Sequence, residues 1–327
     1  NGNQLPNSPM KGGVVFFAAG NDAIAMGAPA EYEKVVAVGA VSSDGRKSSF
    51  SNYGDWVDIC APGSAILSTF PGNQYETIGG TSMACPNLAG VVVLLRQYVI
   101  ENFPEIADDN QKVNTMVNCL LMSTADIALG KNGLPYSVRK QGAGLANLEN
   151  SIESPAYITT TDSEGNVMDK AKIEFGDDPD KTGVYEMSFT INNVGKRAVS
   201  YNVGAYVMTE GVSETKTNAG ETTVTEESHI LEGATVEVVS VEGGKLSGDK
   251  VKVKKGKSAT VTVKITLSDE DKEYLDKSFE NGMYVEGFIT LEAKSGTKVD
   301  LNVPYLAFYG DWTKAPLFDL TYYDTNA

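Results

Sequence analysis

The chain has 327 residues, of which 41% are hydrophobic and 21% are charged, and this composition predicts a globular protein with room for two domains. A formal net charge of −16 without any basic stripe argues against nucleic acid as a partner, and no run approaches the ~20 uninterrupted apolar residues of a membrane span. Three cysteines cannot all pair within one chain, and their apolar neighbours predict buried thiols and no disulfide framework.

Strand-like and helix-like segments alternate in the first half of the chain. The runs VVFFAAG (14–20) and VVAVGAV (35–41) are continuous and rich in β-branched residues, which predicts strands buried on both faces. Residues 82–102 predict a helix that is apolar around most of its circumference, and residues 110–125 predict a second helix with apolar positions three to four residues apart. This alternation predicts an α/β fold with a largely parallel sheet.

The pattern changes between residues 150 and 170. From there on, apolar and polar residues alternate with period two between Asn, Gly and Lys turns, which predicts an all-β domain, most simply a two-sheet sandwich. One short helix, SDEDKEYLDKSF, is predicted to begin at the capping residue Ser268. We therefore divide the chain into a first domain, 1–155, and a second domain, 156–327.

The segment GGTSMACPNLAG (79–90) places Ser82 at the start of a predicted helix. Free backbone N–H groups and the helix dipole stabilise negative charge at such a position, as a nucleophilic serine requires. Gly79 and Gly80 let the backbone approach an extended substrate closely. The alternative is an ordinary helix cap formed by Thr81 and Ser82, and these twelve residues alone leave both interpretations open.

Four segments resemble the subtilisin-like serine proteases, the subtilase family. GGTSMACPNLAG is similar to the nucleophile motif of that family, and VVFFAAGND to the strand ending in Ala-Gly-Asn that carries a side-chain oxyanion donor. The segment between them has the Ser-Phe-Ser and Ala-Pro-Gly landmarks, and KQGAGLANLENSI is similar to the close of the catalytic domain. The resemblance runs from about Gly13 to Ile152 and implies the C-terminal portion of a subtilisin-like catalytic domain.

This resemblance implies roles for individual residues. Ser82 would be the nucleophile, and its backbone N–H and the carboxamide of Asn21 would hold the oxyanion. A cis peptide at Ala28–Pro29 is common at the matching position of the family. Small residues would form a wall and the base of the pocket for the residue before the scissile bond, or lie beside the substrate backbone: Ala18, Ala19, Gly20, Gly27 and Gly80.

The triad runs Asp, His, Ser in the subtilisin order, so the aspartate and the histidine would precede Asn21. His229 is the only histidine, and its acidic surroundings in the β half predict a solvated surface residue and not a catalytic base. We therefore expect a partner chain, an N-terminal portion of the same precursor that carries both residues. The expected cut lies in the loop NGNQLPNSP (1–9), and the two pieces would remain associated.

The segment 281–319, with its Tyr-Gly-Asp-Trp ending, resembles the fibronectin-like domain that follows the catalytic domain in lactocepin and C5a-peptidase relatives. The two resemblances together imply a secreted or cell-envelope serine endopeptidase of Gram-positive type, which acts on peptide or protein substrates. No cofactor is predicted. Subtilisin relatives often carry Ca²⁺, but no EF-hand-like or clustered carboxylate spacing is present, and no metal ligand is assigned.

Two other classes of protein are alternatives. An α/β-hydrolase also places its serine on a strand-to-helix turn, but it needs Asp and His downstream, where this chain has an all-β domain with one histidine. A catalytically dead subtilase fold that serves as a binding or adhesion module would have lost the upstream residues while Ser82 and Asn21 remain.

Overall fold

Strands and helices alternate in the first half, as the sequence predicts. The computed structural model describes residues 13–213 and 223–314. The strands here are β1 Phe16–Ala18, β2 Val36–Val41, β3 Ile59–Pro62, β4 Ile66–Phe70 and β5 Gln74–Ile78. The helices are α1 Thr81–Asn102, α2 Asn110–Ser123, α3 Val138–Gln141 and α4 Leu148–Glu153. A parallel sheet has the order β1-β2-β3, and β4 and β5 form an antiparallel hairpin.

The central strand and one edge strand of this sheet differ in their surroundings. All six residues of β2 are buried, which confirms the prediction for that strand. The prediction is wrong for β1, where Phe17 is 37% exposed. β1 is the edge strand, and within the described residues no strand pairs with its outer side. The backbone groups on that side are therefore available to another strand.

Helix α1 packs one face on the sheet and leaves another face uncovered. Ala84, Leu88 and Leu95 are fully buried in the core with strands β1 to β3 and helix α2. Val93 and Leu94, on the opposite face, are 65% and 53% exposed. By length and composition alone α1 is long and apolar enough to cross a membrane, a test that core helices also pass. Its contacts with the sheet are those of a core helix, and no other described element covers the face that carries Val93 and Leu94.

The second half is a two-sheet β-sandwich, as the sequence predicts. A seven-stranded sheet has the order β12-β13-β9-β15-β16-β7 with β10 paired to β9, and a four-stranded sheet has the order β11-β14-β8-β6. Its strands are β6 Ala156–Thr159, β7 Ile173–Asp177, β8 Val184–Asn193, β9 Val199–Ser213, β10 Thr223–Ile230, β11 Thr235–Glu242, β12 Lys245–Ser247, β13 Lys250–Val253, β14 Ser258–Thr266, β15 Met283–Lys294 and β16 Leu301–Tyr309. Phe189 and Val261 from one sheet pack against Ile289 and Val303 from the other.

One helix, α5 (Asp269–Ser278), interrupts the strands where the sequence predicts it. Ser268 and Asp271 form a capping box, in which the serine hydroxyl accepts from the Asp271 N–H and the Asp271 carboxylate accepts from the Ser268 N–H. Three acidic residues in the first turn also complement the helix dipole.

The two domains meet along a buried seam. Val138 and Ile127 of the first domain pack with Met208, Phe288 and Leu306 of the second. A hydrogen bond of 2.8 Å from Asn302 Nδ2 to the Ala125 carbonyl crosses the same seam. Short helix α3 therefore has its apolar side against the seven-stranded sheet.

Four buried charges lie beside this apolar contact. The Arg139 guanidinium donates to Glu210 at 2.5 Å and to Glu286 at 3.0 Å, and Lys140 Nζ donates to Glu210 at 3.1 Å. Ser137 Oγ also donates to Glu286 at 2.7 Å. Burial opposes the charge on Arg139, but the two carboxylates raise its pKa, so the guanidinium stays charged. Two cations thus face two anions across the domain seam.

We expect Glu286→Gln to lower the free energy of unfolding by about 3–5 kcal/mol, because breaking a buried ion pair leaves the Arg139 charge with one carboxylate fewer. Glu286 is 1% exposed, whereas Glu292 on the same strand has a side chain 61% exposed. Glu292→Gln is therefore the matched control and should change stability by less than about 0.5 kcal/mol. Urea unfolding of the two variants tests this, and equal midpoints would contradict it.

Candidate active site

The site begins where β5 turns into α1. Gly80 precedes the helix with φ +154°, and its N–H donates to the Gly63 carbonyl at 2.8 Å. A Cβ atom at Gly80 would lie 3.4 Å from Asn21 Nδ2 and 3.5 Å from Met83 Sδ. A glycine therefore lets the backbone pass close to the Asn21 carboxamide.

Ser82 is exposed in the first turn of α1. Within the part of the chain that the structure describes, its N–H and its hydroxyl have no hydrogen-bond partner. Gly80 caps the helix, and no side chain makes a cap hydrogen bond. The interpretation of Thr81 and Ser82 as a helix cap is therefore wrong, and the free N–H is available at the positive end of the helix dipole.

Thr81 joins Asn21 to this turn. The side-chain oxygen of Asn21 accepts from the Thr81 N–H at 2.8 Å and from the Thr81 hydroxyl at 3.0 Å. The same hydroxyl accepts from the Gly20 N–H at 3.0 Å. Because a backbone N–H can only donate, the atom facing it must be the carboxamide oxygen. The Asn21 NH₂ group therefore points away from Thr81 and lies beside Gly80, without a hydrogen-bond partner among residues 13–213 and 223–314.

The predicted wall residues Ala18, Ala19 and Gly20 lie at the end of β1. Ala19 is buried and donates its N–H to the Val38 carbonyl at 3.0 Å, while Gly20 has φ +107°. Together these residues lead the chain from the sheet to Asn21. Their role toward a substrate stays a prediction.

Asn52 holds the loop that follows Asn21, and sequence reasoning missed it. Its side-chain oxygen accepts from the N–H groups of Asp22 at 2.8 Å and Ile24 at 3.3 Å, and its NH₂ group donates to the Met26 carbonyl at 2.9 Å. Asn52 is 4% exposed. It directly follows the Ser-Phe-Ser landmark, which was the one available signal.

Gly27, the predicted pocket base, is buried against the indole of Trp56. A Cβ atom at Gly27 would lie 2.6 Å from both Cδ2 and Cζ2 of that ring, so only glycine fits there without moving the tryptophan. The next peptide bond, Ala28–Pro29, is cis, as the resemblance implies. Sequence reasoning did not identify Trp56.

His229 does not lie in this arrangement. It belongs to β10, pairs across the strands with Thr209, and stacks its ring on Tyr274 of α5 with a centroid distance of 3.9 Å. It is half-buried on this strand, beside α5, and burial lowers its pKa. Within residues 13–213 and 223–314, no group of three or more His, Cys, Asp or Glu side chains is arranged to hold a metal ion.

Comparison with known proteins identifies both domains. Residues 3–144 match the model of the subtilase family, and residues 173–306 match that of an Fn3-like domain. The boundary predicted after residue 155 lies between these matches and stays a prediction. Among solved structures, the prenylagaramide maturation protease PagA is 29% identical, with a TM-score of 0.38 over 44% of this chain and 50% of its own.

Three proteinases are similar to this chain, two of them over most of its length. A PII-type proteinase of Lacticaseibacillus paracasei is 30% identical over 291 residues, which are 85% of this chain and 14% of that protein. The C5a peptidase of Streptococcus pyogenes serotype M1 is 24% identical over 87% of this chain and 22% of its own length. A thermophilic serine proteinase of Bacillus sp. (strain AK1) is 55% identical over 86 residues, 26% of this chain and 21% of its own. The chain thus spans less than a quarter of each of these three relatives.

We expect only one of the three cysteines to react in the native protein. Burial raises the pKa of Cys60 and of Cys119 to about 12, so neither forms the thiolate that reacts with disulfide reagents. Cys85 is half-buried, and burial also raises its pKa, so it should react slowly. Ellman's reagent at pH 8 should modify one thiol before unfolding and three in denaturant. Cys85→Ala should abolish the native reaction, and two reactive native thiols would contradict the account.

Proposed function

The chain belongs to the subtilase family through its first domain, which an Fn3-like domain follows, and we propose that it is the nucleophile-bearing portion of a serine endopeptidase. The observation that carries this proposal is the geometry at the start of α1. There, an exposed serine lies beside a free backbone N–H and a carboxamide whose oxygen is already bound, and acyl transfer requires these groups together.

In the proposed reaction, Ser82 Oγ attacks the peptide carbonyl carbon while its proton passes to a histidine. The carbonyl oxygen becomes an oxyanion, which accepts from the Ser82 N–H and from Asn21 Nδ2. The C–N bond then breaks, the histidine gives the proton to the leaving amine, and an acyl-enzyme remains on Ser82. Water, activated by the same histidine, releases the acid and restores the serine.

The helix N-terminus and Asn21 stabilise the same developing charge. Neither has to move when the oxyanion forms, because Thr81 already binds the carboxamide oxygen and α1 already orients the N–H. Removing one such donor typically costs ~10²–10³ in rate. Ala18, Ala19, Gly20 and Gly27 would form the pocket for the residue before the scissile bond, with Gly80 beside the substrate backbone.

The base and its aspartate would come from an upstream portion of the precursor. Three uncovered surfaces of the first domain support this: the free edge of β1, the exposed face of α1, and the β4–β5 hairpin, where Leu67 is 68% and Tyr75 is 72% exposed. A parallel sheet is normally covered on both faces, so added strands and helices would complete it. The expected cut in 1–9 lies outside the described residues.

The proposed substrates are peptides or proteins, and the proposed location is outside the cell or on the cell envelope of a Gram-positive bacterium. The relatives support the location through their organisms, Lacticaseibacillus, Lactococcus and Streptococcus among them. A catalytically dead subtilase fold remains the second candidate. It predicts the same Ser82 geometry without a functional upstream histidine.

Fluorophosphonate labelling tests the proposal on the protein that includes the upstream portion. We expect one adduct on Ser82, because the histidine activates its hydroxyl, and denaturing intact mass would detect it. Ser82→Ala should abolish the adduct, while Ser68→Ala, at an exposed serine of β4, should leave it unchanged.

An unlabelled Ser82 in that complete protein would contradict the proposal and favour the dead module. An adduct on a single polypeptide longer than this chain would confirm catalysis and show that the expected cut is wrong.

A further inference from the structure

Trp56 packs against two glycines. A Cβ atom at Gly27 would lie 2.6 Å from Cδ2 of the indole, and one at Gly54 would lie 2.7 Å from Cδ1 of the same ring. Only residues without a side chain leave room for a ring at both positions. The Trp56 ring therefore supports the segment that carries Gly27.

The loop that carries Trp56 is bound to residues of the domain seam. Lys172, in the segment leading into β7, donates its ammonium to the Asp55 carbonyl. The Gly54 N–H donates to the Arg139 carbonyl at 2.8 Å, and Arg139 is itself held by Glu210 and Glu286 of the second domain. Asp55 is thus bound directly by a residue of the second domain. Gly54 is bound by Arg139, which the second domain holds in place.

The far side of the tryptophan is open. Trp56 borders a cavity of about 790 Å³ between the domains, which Lys170, Lys172, Phe175 and Met187 also line. Close packing would otherwise fix the ring, but here there is space into which it can move. The position of Trp56 is therefore set by its loop and by the two glycines, not by packing behind it.

We propose that the Fn3-like domain sets the depth of the pocket for the residue before the scissile bond by holding Trp56 against Gly27. This inference rests on the proposed function, in which Gly27 lies near the base of that pocket. Trp56 is a positioning residue, because it acts through Gly27 and does not touch substrate. Lys172 is the contact through which the second domain holds it.

Loosening this support should enlarge the pocket. When Trp56 moves toward the cavity, the Gly27 segment can follow, and the pocket becomes deeper. A substrate with a large side chain before the scissile bond then binds better, whereas a substrate with alanine there does not. One methylene group more or less in an apolar pocket typically changes the discrimination between substrates by ~10–200-fold. A partial movement of Trp56 should therefore change it by a smaller factor. The effect should appear in KM, since Ser82 and Asn21 stay in place.

The experiment compares Lys172→Met with Lys181→Met in the complete protease. Both lysines pair with a carboxylate, Lys172 with Glu174 at 2.7 Å and Lys181 with Asp276 at 2.5 Å, but Lys181 lies away from the Trp56 loop. Peptide anilides with Ala, Leu or Phe before the scissile bond are the probes. For Lys172→Met we expect kcat/KM for Phe relative to Ala to rise about 3–10-fold through KM. Lys181→Met should match the wild type.

Trp56→Ala should give a larger shift in the same direction, and Trp56→Phe should restore most of the wild-type profile. An unchanged profile in Lys172→Met, or an equal change for all three substrates, would overturn the inference, since a purely structural role alters every substrate alike.

Fluorescence separates failure of this inference from failure of the proposed function. The chain has two tryptophans, Trp56 and Trp312, and the emission that Trp56→Phe removes from the complete protein is the signal of Trp56. We expect acrylamide quenching of Trp56 to increase in Lys172→Met and not in Lys181→Met. If quenching responds in this way but the protein cleaves no peptide, the proposed function fails while the support of Trp56 stands. If peptides are cleaved but quenching and profile do not change, the inference alone fails.

Discussion

The Thr81 hydroxyl is the contact on which the rest of the site depends. It accepts from the Gly20 N–H and donates to Asn21, residues that lie 61 and 60 positions earlier in the chain. The end of β1 and the start of α1 are therefore joined by one buried side chain. Because Thr81 is fully buried, its side of these hydrogen bonds is shielded from water, and the bound Asn21 oxygen turns the NH₂ group away from Thr81.

The domain seam is a second constraint with a different physical character. Buried ion pairs such as Arg139 with Glu210 and Glu286 add little net stability, because desolvation offsets their attraction, but they fix one arrangement of the groups involved. Here the arrangement includes the Arg139 carbonyl, which binds the loop of Trp56. Carboxylates of the second domain thus hold the residue whose carbonyl binds this loop.

Local patterns predicted the elements, and the structure confirms them: both long helices, strand β2, the sandwich and the Ser268 cap of α5. Burial of β1 was predicted wrongly, because an apolar run does not say whether a neighbouring strand is present. The helix-cap alternative for Thr81 could not be resolved locally either, since its true partners are distant in sequence. Asn52 and Trp56 were missed for the same reason, because their roles arise from backbone groups and glycines brought close by folding.

Kinetics of Thr81 variants in the complete protease test the central claim most directly. Thr81→Val loses the hydroxyl that orients Asn21, whereas Thr81→Ser keeps it. We predict a fall in kcat of ~10²–10³ for Asn21→Ala, a clear but smaller fall for Thr81→Val, because the Thr81 N–H still binds the Asn21 oxygen, and a value near wild type for Thr81→Ser. In the double variant, Thr81→Val should cost little more once Asn21 is alanine, because the two residues act as a unit. An unchanged kcat in Thr81→Val, or fully additive losses in the double variant, would contradict the account.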